Sequence, residues 1–192
     1  MSKVILDISI SLDGFIAQTD DDPGAIHEYL FSGDTEHHGA FRTSGATTSV
    51  FRDMIDTTGA VITGRHTYDL TGGWNGNLPS TTACFVVTHD APDSVPEGPT
   101  KFTFVTDGIE SAVRQARNAA GDKDVSVMGG ASIARQALEA GVLDEIQIHL
   151  APVIMGKGIR LFRDEVTQQV RLEQLRVIEA PGVTHLRYAV HN

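Results

Sequence analysis

This sequence is poor in cysteine, aromatic residues and basic residues, and it has no long hydrophobic run. Its one cysteine, Cys84, allows no internal disulfide and no cysteine-based metal site, and its apolar neighbours predict a buried structural thiol. No apolar stretch approaches the ~20 residues that a membrane-spanning helix needs. Lysine and arginine number 15 against 25 acidic residues, and they are scattered, which argues against a nucleic-acid surface. Any anionic ligand must therefore be held by a local site.

The length and composition predict one soluble domain over residues 1–192. The chain is long enough to bury a full core, and its 41% hydrophobic and 21% charged residues are ordinary for a globular protein. The N-terminal stretch "MSKVILDISIS" alternates apolar and polar residues and is followed by no small-residue cleavage site. We interpret it as a strand and not as a signal peptide, and we expect a cytoplasmic protein without a membrane partner.

Apolar strands alternate with amphipathic helices along most of the chain, which is typical of an α/β fold. The predicted strands lie at residues 3–12 and 60–63 and in "ACFVVTHD", "KFTFVTD", "DVSVMGG" and "DEIQIHLAPVIMG", the last with Ile146, Ile148 and Leu150 facing inward. Two further strands joined at Ala180-Pro181-Gly182 predict a closing antiparallel hairpin, and therefore a mixed sheet.

Three amphipathic helices are predicted between these strands. The first carries Val50, Phe51, Met54 and Ile55 at helical spacing and is expected to stop at Gly59. The second presents an apolar face of Ile109, Ala112, Val113 and Ala116, and the third a stripe of Ile133, Ala134, Ala137 and Leu138 that ends at Gly141.

Residues 20–47 predict a long loop insertion, because they mix Gly, Ser, His and Asp around one apolar patch. Loops of this length in a compact domain are often lids, and this one is expected to influence substrate choice if it covers the pocket. Adjacent His37 and His38 have no cysteine or carboxylate partner at ligand spacing, so they are interpreted as loop residues and no metal is expected.

Three strands end in small or polar residues, in "ITGRHT", "VVTHD" and "VMGGAS". In open α/β sheets, ligands bind beyond the carboxyl ends of the strands, so these ends predict a shared site for an extended anionic ligand such as a nucleotide. Neither G-x-G-x-x-G nor G-x-x-x-x-G-K-[ST] occurs, which disfavours a standard Rossmann or P-loop site.

The Gly129-Gly130 pair precedes a predicted helix whose free N–H groups favour a phosphate, although a ligand-free tight turn is the alternative. Arg65 can place its planar guanidinium on a phosphate, and its alternative is a surface ion pair.

The segments "SISLDGFIA", "VITGRHTYD" and "VMGGASIARQALEAGVLDEIQIHLAPVIMGKGIRLF" resemble, in this order, the dihydrofolate-reductase-like superfamily. The branch concerned is typified by the C-terminal reductase domain of the RibD-type riboflavin-biosynthesis enzymes. The resemblance spans nearly the whole chain. It implies a three-layer fold, with a mixed, mostly parallel sheet flanked by helices, and an NADPH site spread over several strand ends.

The resemblance also implies cofactor contacts by position. Backbone near Ser9, Ile16 and Ala17 would hold the nicotinamide carboxamide. Gly64, Arg65 and Thr67 would meet the adenosine-side phosphates. Thr88 and His89 would border the ribose 2′-phosphate. The pyrophosphate would be held by Gly129, Gly130, Ala131, Ser132 and Ile133.

Four further residues are candidates for substrate contacts. Asp13 is the catalytic candidate, as a polar contact near nicotinamide or substrate, with an Asp-Gly turn residue that bonds its own backbone as the alternative. Lys157 and Gly158 would lie near a substrate phosphate or ribityl group, or else form a glycine-kinked loop. Trp74 either walls the substrate pocket or packs in the core.

The chain also departs from the family patterns. The acid that dihydrofolate reductases carry on their first helix falls near Thr47 or Thr48 here, which argues against folate reduction, while Asp53 on that helix is interpreted as a solvated charge. The zinc-deaminase motifs H-x-E and P-C-x-x-C are absent, so a stand-alone reductase-like domain is expected.

The sequence therefore predicts an NADPH-dependent oxidoreductase that delivers hydride to a C=N or C=O bond of a small heterocyclic or sugar-linked substrate. The type reaction is the reduction of 5-amino-6-ribosylaminouracil phosphate in the riboflavin pathway. No side chain stands out as the acid, so the proton is expected from water. The alternatives are a dihydrofolate reductase and a non-catalytic nucleotide- or pterin-binding protein. The resemblance further implies a homodimer, with contacts through the long hairpin or residues 151–163.

Overall fold

The computed structural model describes residues 2–37, 41–81, 83–162 and 169–191. The chain divides into two compact units: the first comprises Met1–Leu6 with Met54–Asp144, and the second Asp7–Asp53 with Glu145–Asn192. The single domain expected from the sequence stays a prediction. None of the helices in the described ranges is long and apolar enough to cross a membrane.

The strands are, in chain order, β1 (Val4–Ser11), β2 (Phe15–Ala17), β3 (Thr35–His37), β4 (Phe41–Thr43), β5 (Thr58–Gly64), β6 (Ala83–Val87), β7 (Lys101–Val105), β8 (Asp124–Met128), β9 (Glu145–Ala151), β10 (Ile159–Arg160), β11 (Arg171–Ala180) and β12 (Val183–His191). The helices are α1 (Gly45–Thr57), α2 (Arg65–Leu70), α3 (Ile109–Ala120) and α4 (Ala131–Glu139), with 3-10 segments over Gly24–Leu30 and Gly72–Gly76. This alternation confirms the predicted α/β class.

In the first unit the strands follow the order β1-β8-β5-β6-β7, with β5 parallel to both β6 and β8, and β6 parallel to β7. Parallel sheets need cover on both faces, and their strands are accordingly apolar: Val61 and Ile62 are fully buried. The predicted apolar face of α3 is buried as expected, at Ile109, Ala112, Val113 and Ala116. The parallel pairing brings the carboxyl ends of β5, β6 and β8 to one edge.

In the second unit the order is β11-β12-β9-β1, and the pairs β11/β12 and β12/β9 are antiparallel. This confirms the predicted closing hairpin, whose turn lies between Ala180 and Val183 and uses Gly182 at φ +75°. Two small antiparallel pairs, β2/β10 and β3/β4, complete the described strands of this unit.

The prediction for the inward face of β9 is wrong in part. Ile146 is buried as expected, but Ile148 and Leu150 are partly exposed, while Glu145, Gln147 and His149 are buried. Polar side chains can be buried when they find hydrogen-bond partners, and Glu145 pairs with Arg187 while His149 pairs with Asp7. These partners lie far away in the sequence, so apolar alternation alone could not predict them.

Residues 20–47 are also more ordered than the predicted loop insertion. They contain the 3-10 segment Gly24–Leu30, which buries Ile26 and Tyr29, then the β3/β4 hairpin and the start of α1 at Gly45. A few well-placed apolar residues anchor this segment despite its polar composition. Of the two adjacent histidines predicted as loop residues, His38 lies outside the described residues.

Gly59 does not stop the first helix as predicted. Helix α1 ends at Thr57, and Gly59 lies inside β5. A Cβ atom on Gly59 would lie 2.7 Å from the Ala120 carbonyl oxygen and 2.8 Å from the Lys123 Cβ. Gly59 is therefore explained by the close approach of the end of α3 to β5.

We expect Gly59→Ala to lower the free energy of unfolding by about 1–3 kcal/mol, because the added methyl group collides with backbone that cannot easily move. Urea denaturation measures the change. Gly45→Ala is the matched control: nothing lies within 4 Å of its Cβ position, so it should stay within about 1 kcal/mol of wild type. Equal stability of Gly59→Ala and wild type would contradict this explanation.

Candidate functional site

The first unit brings several predicted cofactor residues together where β5 and β8 end. Strand β5 ends at Gly64, whose Cβ position lies 3.7 Å from the Cβ of Ile133 in α4, and Thr67 in α2 lies beside Gly129 and Gly130. We call Gly64, Thr67, Gly129, Gly130 and Ile133 the strand-end site. The predicted meeting of strand ends is thus present for β5 and β8.

The two adjacent glycines of this site differ in whether the surrounding structure requires glycine. Gly129 adopts φ +110°, and a Cβ there would lie 2.6 Å from Thr67 Oγ1 and 2.9 Å from Thr63 Oγ1. Gly130 adopts φ −74° at the N-cap of α4, and a Cβ there would meet Thr67 Oγ1 at an ordinary 3.6 Å. Internal packing therefore requires glycine at position 129 but leaves room for a side chain at position 130.

The strand-end site has the features that an anion needs. Among the residues that the structure describes, no side chain caps the N-terminus of α4, so its first N–H groups are available to an incoming acceptor. The hydroxyl of Thr63, fully buried beside Gly129, has no hydrogen-bond partner within the described part of the chain. An unpaired buried hydroxyl is costly, and a phosphate oxygen would satisfy it. Ser132, on the first turn of α4, is exposed, and its Oγ accepts a hydrogen bond from Gln136.

Arg65 and Thr88 meet at the backbone of Asp90. Arg65 Nε donates to both carboxylate oxygens of Asp69, at 2.8 and 2.9 Å, and its Nη1 donates to the Asp90 carbonyl at 2.7 Å. The hydroxyl of Thr88 donates to the same carbonyl at 2.8 Å, and His89 beside it is exposed. The structure thus shows the ion pair that was the alternative for Arg65, and its contact with a phosphate stays a prediction.

Trp74 packs in the core of the first unit. It lies in the 3-10 segment Gly72–Gly76 at φ +49° and contacts a buried cluster that comprises Val61, Tyr68, Leu78, Cys84 and Val86. This favours packing over a wall of the substrate pocket. Burial raises the pKa of the Cys84 thiol to about 12, which agrees with a structural thiol that stays protonated at neutral pH.

In the second unit, Ala17 and Gly158 lie against each other in the small sheet of β2 and β10. Gly158 adopts φ +144°, and a Cβ there would lie 2.2 Å from the carbonyl oxygen of Ala17, so this position requires glycine. Ile16 is the central residue of β2, and Lys157 is exposed. The kinked-loop alternative for Gly158 is therefore present in the structure, while its contact with substrate stays a prediction.

Asp13 holds the turn that precedes β10. Its carboxylate accepts hydrogen bonds from the Ser11 hydroxyl at 2.7 Å and from the backbone N–H groups of Met155 and Gly156, at 3.0 and 2.7 Å. The Ser11 hydrogen bond is the main cause that lowers the pKa of Asp13 to about 2, and the two backbone bonds add to it. Asp13 is therefore ionised at neutral pH, and its carboxylate is unsuited to donate a proton.

Sequence analysis missed a buried polar chain in the second unit. His149 Nε2 lies 3.1 Å from Asp7 Oδ1, His149 Nδ1 lies 2.7 Å from His185 Nδ1, and His185 Nε2 lies 3.0 Å from Thr47 Oγ1. We call these four residues the buried polar chain. The available signal was the polar alternation of β9 and β1, with His149 on one strand and Asp7 and Ser9 on the other.

Aromatic residues surround this chain. The rings of Tyr29 and Phe51 lie 6.2 and 5.2 Å from that of His149, and the Tyr29 hydroxyl lies 2.8 Å from that of Ser9. Burial, with a smaller effect of His149, lowers the pKa of His185 to about 4, and burial also raises the pKa of Tyr29. His185 is therefore neutral, and Tyr29 protonated, at neutral pH.

The remaining candidates on α1 have structural partners. The hydroxyl of Thr48 lies 2.6 Å from that of Thr43 and donates to the Ser44 carbonyl at 2.9 Å. Asp53 is exposed and accepts from Arg176 at 3.2 Å. In residues 2–37, 41–81, 83–162 and 169–191, no group of three His, Cys, Asp or Glu side chains is placed to hold a metal ion.

Comparisons with known proteins identify the class and then the family. A putative riboflavin biosynthesis protein from Shewanella sp. PV-4 shares 21% identity at a TM-score of 0.77, covering 99% of each chain. Dihydrofolate reductase from Enterococcus faecalis shares 15% identity at a TM-score of 0.59, covering 99% of this chain and 97% of that one. The fold is therefore the dihydrofolate-reductase-like α/β fold that the resemblance implied.

The family model of the RibD C-terminal domain matches residues 2–186. The chain belongs to the RibD C-terminal domain family, as the sequence motifs predicted. The uncharacterized protein YwjB of Bacillus subtilis (strain 168) is 29% identical over 171 residues, which cover 88% of this chain and 87% of YwjB.

We expect Asp13→Asn to loosen the turn at residues 155–156, because a neutral amide accepts hydrogen bonds more weakly than a carboxylate. Hydrogen exchange at the Met155 and Gly156 amides should be faster in the variant. In wild type, the folded pKa of about 2 lies below the ordinary 3.8, so this stabilisation is fully present above pH 3.8 and is lost as the pH falls through about 2. Exchange that is the same in both proteins would contradict the role of Asp13 in this turn.

Proposed function

We propose that this protein is an NADPH-dependent reductase that transfers hydride to a C=N or C=O bond of a small heterocyclic or sugar-linked substrate, of the 5-amino-6-ribosylaminouracil phosphate type. The observation that carries the proposal is the strand-end site. This site contains the uncapped N-terminus of α4, a glycine at position 130 that internal packing does not require, and the buried, unpaired hydroxyl of Thr63. Membership of the RibD C-terminal domain family supports it.

The residues would hold the cofactor as follows. Backbone N–H groups from Gly129 to Ile133 would bind the pyrophosphate, and the Thr63 hydroxyl, which the sequence did not single out, would donate to it. Arg65 and Thr88, joined at the Asp90 carbonyl, would border the adenosine phosphates. NADPH, when bound, supplies the hydride, and the protein's part is to orient the reactants and to exclude water.

Folate reduction has less support than this proposal. The positions that match the acid of dihydrofolate reductase hold Thr47 and Thr48, whose hydroxyls are engaged with His185 and with Thr43 and Ser44. A non-catalytic nucleotide-binding protein is the remaining alternative. Tight NADPH binding without oxidation across a broad panel of carbonyl and imine acceptors would favour it.

The cofactor proposal predicts that NADPH quenches the intrinsic fluorescence of the protein with a micromolar Kd. Gly130→Val should weaken binding by about tenfold or more, equal to about 1.4 kcal/mol, because its side chain would occupy the place of the phosphate. Arg65→Ala should also weaken NADPH binding, because its guanidinium would border the adenosine-side phosphates. Gly45→Ala, which changes a glycine of the second unit with open space at its Cβ position, is the control. No binding of NADPH or NADH would overturn the cofactor proposal.

We also propose a cytoplasmic homodimer that associates through the β11/β12 hairpin. Strand β11 is an edge strand among the described strands, where it pairs with β12, and it exposes Leu172, Leu175 and Val177 by 46%, 48% and 43%. Exposed apolar side chains on an edge strand are typical of an association surface. Light scattering at micromolar concentration should give a dimer for wild type and a monomer for Leu175→Glu. Monomeric wild type would overturn this proposal.

A further inference from the structure

We propose that the strand-end site binds free inorganic phosphate or diphosphate, and that the Thr63 hydroxyl is a donor which only the bound anion satisfies. This rests on the proposed function, because it concerns the regulation of the same site: a free anion bound here would compete with the cofactor and inhibit the enzyme. The residues that carry the proposal all lie in the first unit.

The Thr63 hydroxyl distinguishes this site from an ordinary helix end. Among the side chains that the structure describes, only the hydroxyls of Ser2 and Thr63 are buried without a hydrogen-bond partner. Ser2 is a partly exposed residue, whereas Thr63 is 0% exposed. A buried hydroxyl without a partner destabilises the folded state. In the ligand-free protein, Thr63 therefore has a cost that a valine of similar shape would not have.

This hydroxyl faces the loop that leads into α4. Thr63 Oγ1 lies 2.9 Å from the position that a Cβ atom of Gly129 would take, and Thr67 Oγ1 lies 2.6 Å from the same position. Two hydroxyl groups therefore face the side of Gly129 where a side chain is absent. The next residue, Gly130, is the N-cap of α4. The Thr63 hydroxyl is thus directed at the start of this helix.

The start of α4 supplies the other hydrogen-bond donors. The helix runs from Ala131 to Glu139, and its first turn contains no acidic side chain that would repel an anion. Its N-terminal N–H groups and its dipole favour negative charge. A phosphate group presents three strong acceptor oxygens, so it can accept from these N–H groups and from a threonine hydroxyl at the same time.

The donors of this site are neutral. Arg65, which follows Gly64, is paired with Asp69 at 2.8 Å and donates to the Asp90 carbonyl at 2.7 Å. The whole protein has a formal net charge of −10, so its overall field does not attract anions. An anion must therefore be held by hydrogen bonds from fixed positions. We expect phosphate to bind better than chloride, which presents a single acceptor atom.

Packing alone explains only part of this arrangement. The two threonine hydroxyls require glycine at position 129, but a Cβ atom at position 130 would lie at an ordinary 3.6 Å from Thr67 Oγ1. At position 63, in a buried strand, valine would fill a similar space without an unpaired polar group. A bound anion accounts for both features, because it needs room beside Gly130 and a donor beside Gly129.

The first test titrates the full-length protein with inorganic diphosphate, and separately with inorganic phosphate. Nitrogen-15 NMR should show saturable shifts of the backbone amides from Gly130 to Ile133. Sodium chloride at the same ionic strength is the control for screening and should not reproduce them. Saturation with either anion upholds the site, and the lower Kd identifies the preferred ligand. The absence of saturable shifts with both anions would overturn the proposal.

The same titration tests the role of Thr63. Thr63→Val should weaken anion binding by about tenfold, equal to about 1.4 kcal/mol, because a hydrogen bond to a charged group is lost. Thr100→Val is the matched control: it removes a buried hydroxyl that already accepts from the Leu78 N–H at 2.8 Å, and it should keep the wild-type Kd. An unchanged Kd in Thr63→Val would overturn the role of this hydroxyl.

The second test uses the direction of a stability change and needs no ligand. In phosphate-free buffer, Thr63→Val should raise the urea midpoint, because it removes an unpaired hydroxyl from the core. Thr100→Val should lower the midpoint, because it leaves the Leu78 N–H without its acceptor. A lowered midpoint in Thr63→Val would show that the hydroxyl is satisfied without an anion and would overturn the proposal. Failure of Thr63→Val to fold counts as the same result.

Competition with NADPH separates the anion site from the cofactor proposal. Diphosphate at a concentration equal to its own Kd should raise the apparent Kd for NADPH about twofold. If NADPH binds but diphosphate and phosphate neither shift the amides nor raise this Kd, the anion site is overturned and the cofactor proposal stands. If either anion binds with the expected dependence on Thr63 but NADPH does not bind, the anion site stands and the cofactor proposal is overturned.

Discussion

The parallel pairing of β5 with β6 and β8 is the constraint on which the first unit depends. Because these strands are parallel, their carboxyl ends lie at the same end of the sheet. From there each chain segment must turn sharply into a helix or loop. The junctions at Gly64 and Gly129 follow directly from this arrangement, and so does the uncapped N-terminus of α4. The geometry of the strand-end site is thus a consequence of the sheet topology of this unit.

The elements that could be predicted from the sequence were those encoded locally. The apolar stripe of α3 and the turn at Gly182 each depend on residues within one segment, and both are confirmed. The role of Gly59 was harder to predict, because glycine is required there by the close approach of Ala120, far along the chain, and not by the end of the preceding helix. Local rules assign a glycine to a turn, whereas its cause here is a tertiary contact.

The polar residues of the second unit show the same limit more strongly. Asp7, Thr47, His149 and His185 come from four separate elements, and nothing in their local sequence indicates that they meet. When its hydrogen-bond partners are unknown, a histidine or aspartate in a strand is predicted to be exposed, even where it is buried. Their burial became visible only when β12 and β1 were placed in order around β9.

Burying such groups costs free energy even when every hydrogen bond is made, since apolar residues of similar volume would fill the same space with less desolvation. Packing alone therefore does not account for two imidazoles in contact, one of them with a pKa lowered to about 4. In the first unit the corresponding unexplained cost is two unpaired hydroxyls among the described residues, those of Ser2 and Thr63. A bound anion at the strand-end site would remove the cost of the Thr63 hydroxyl.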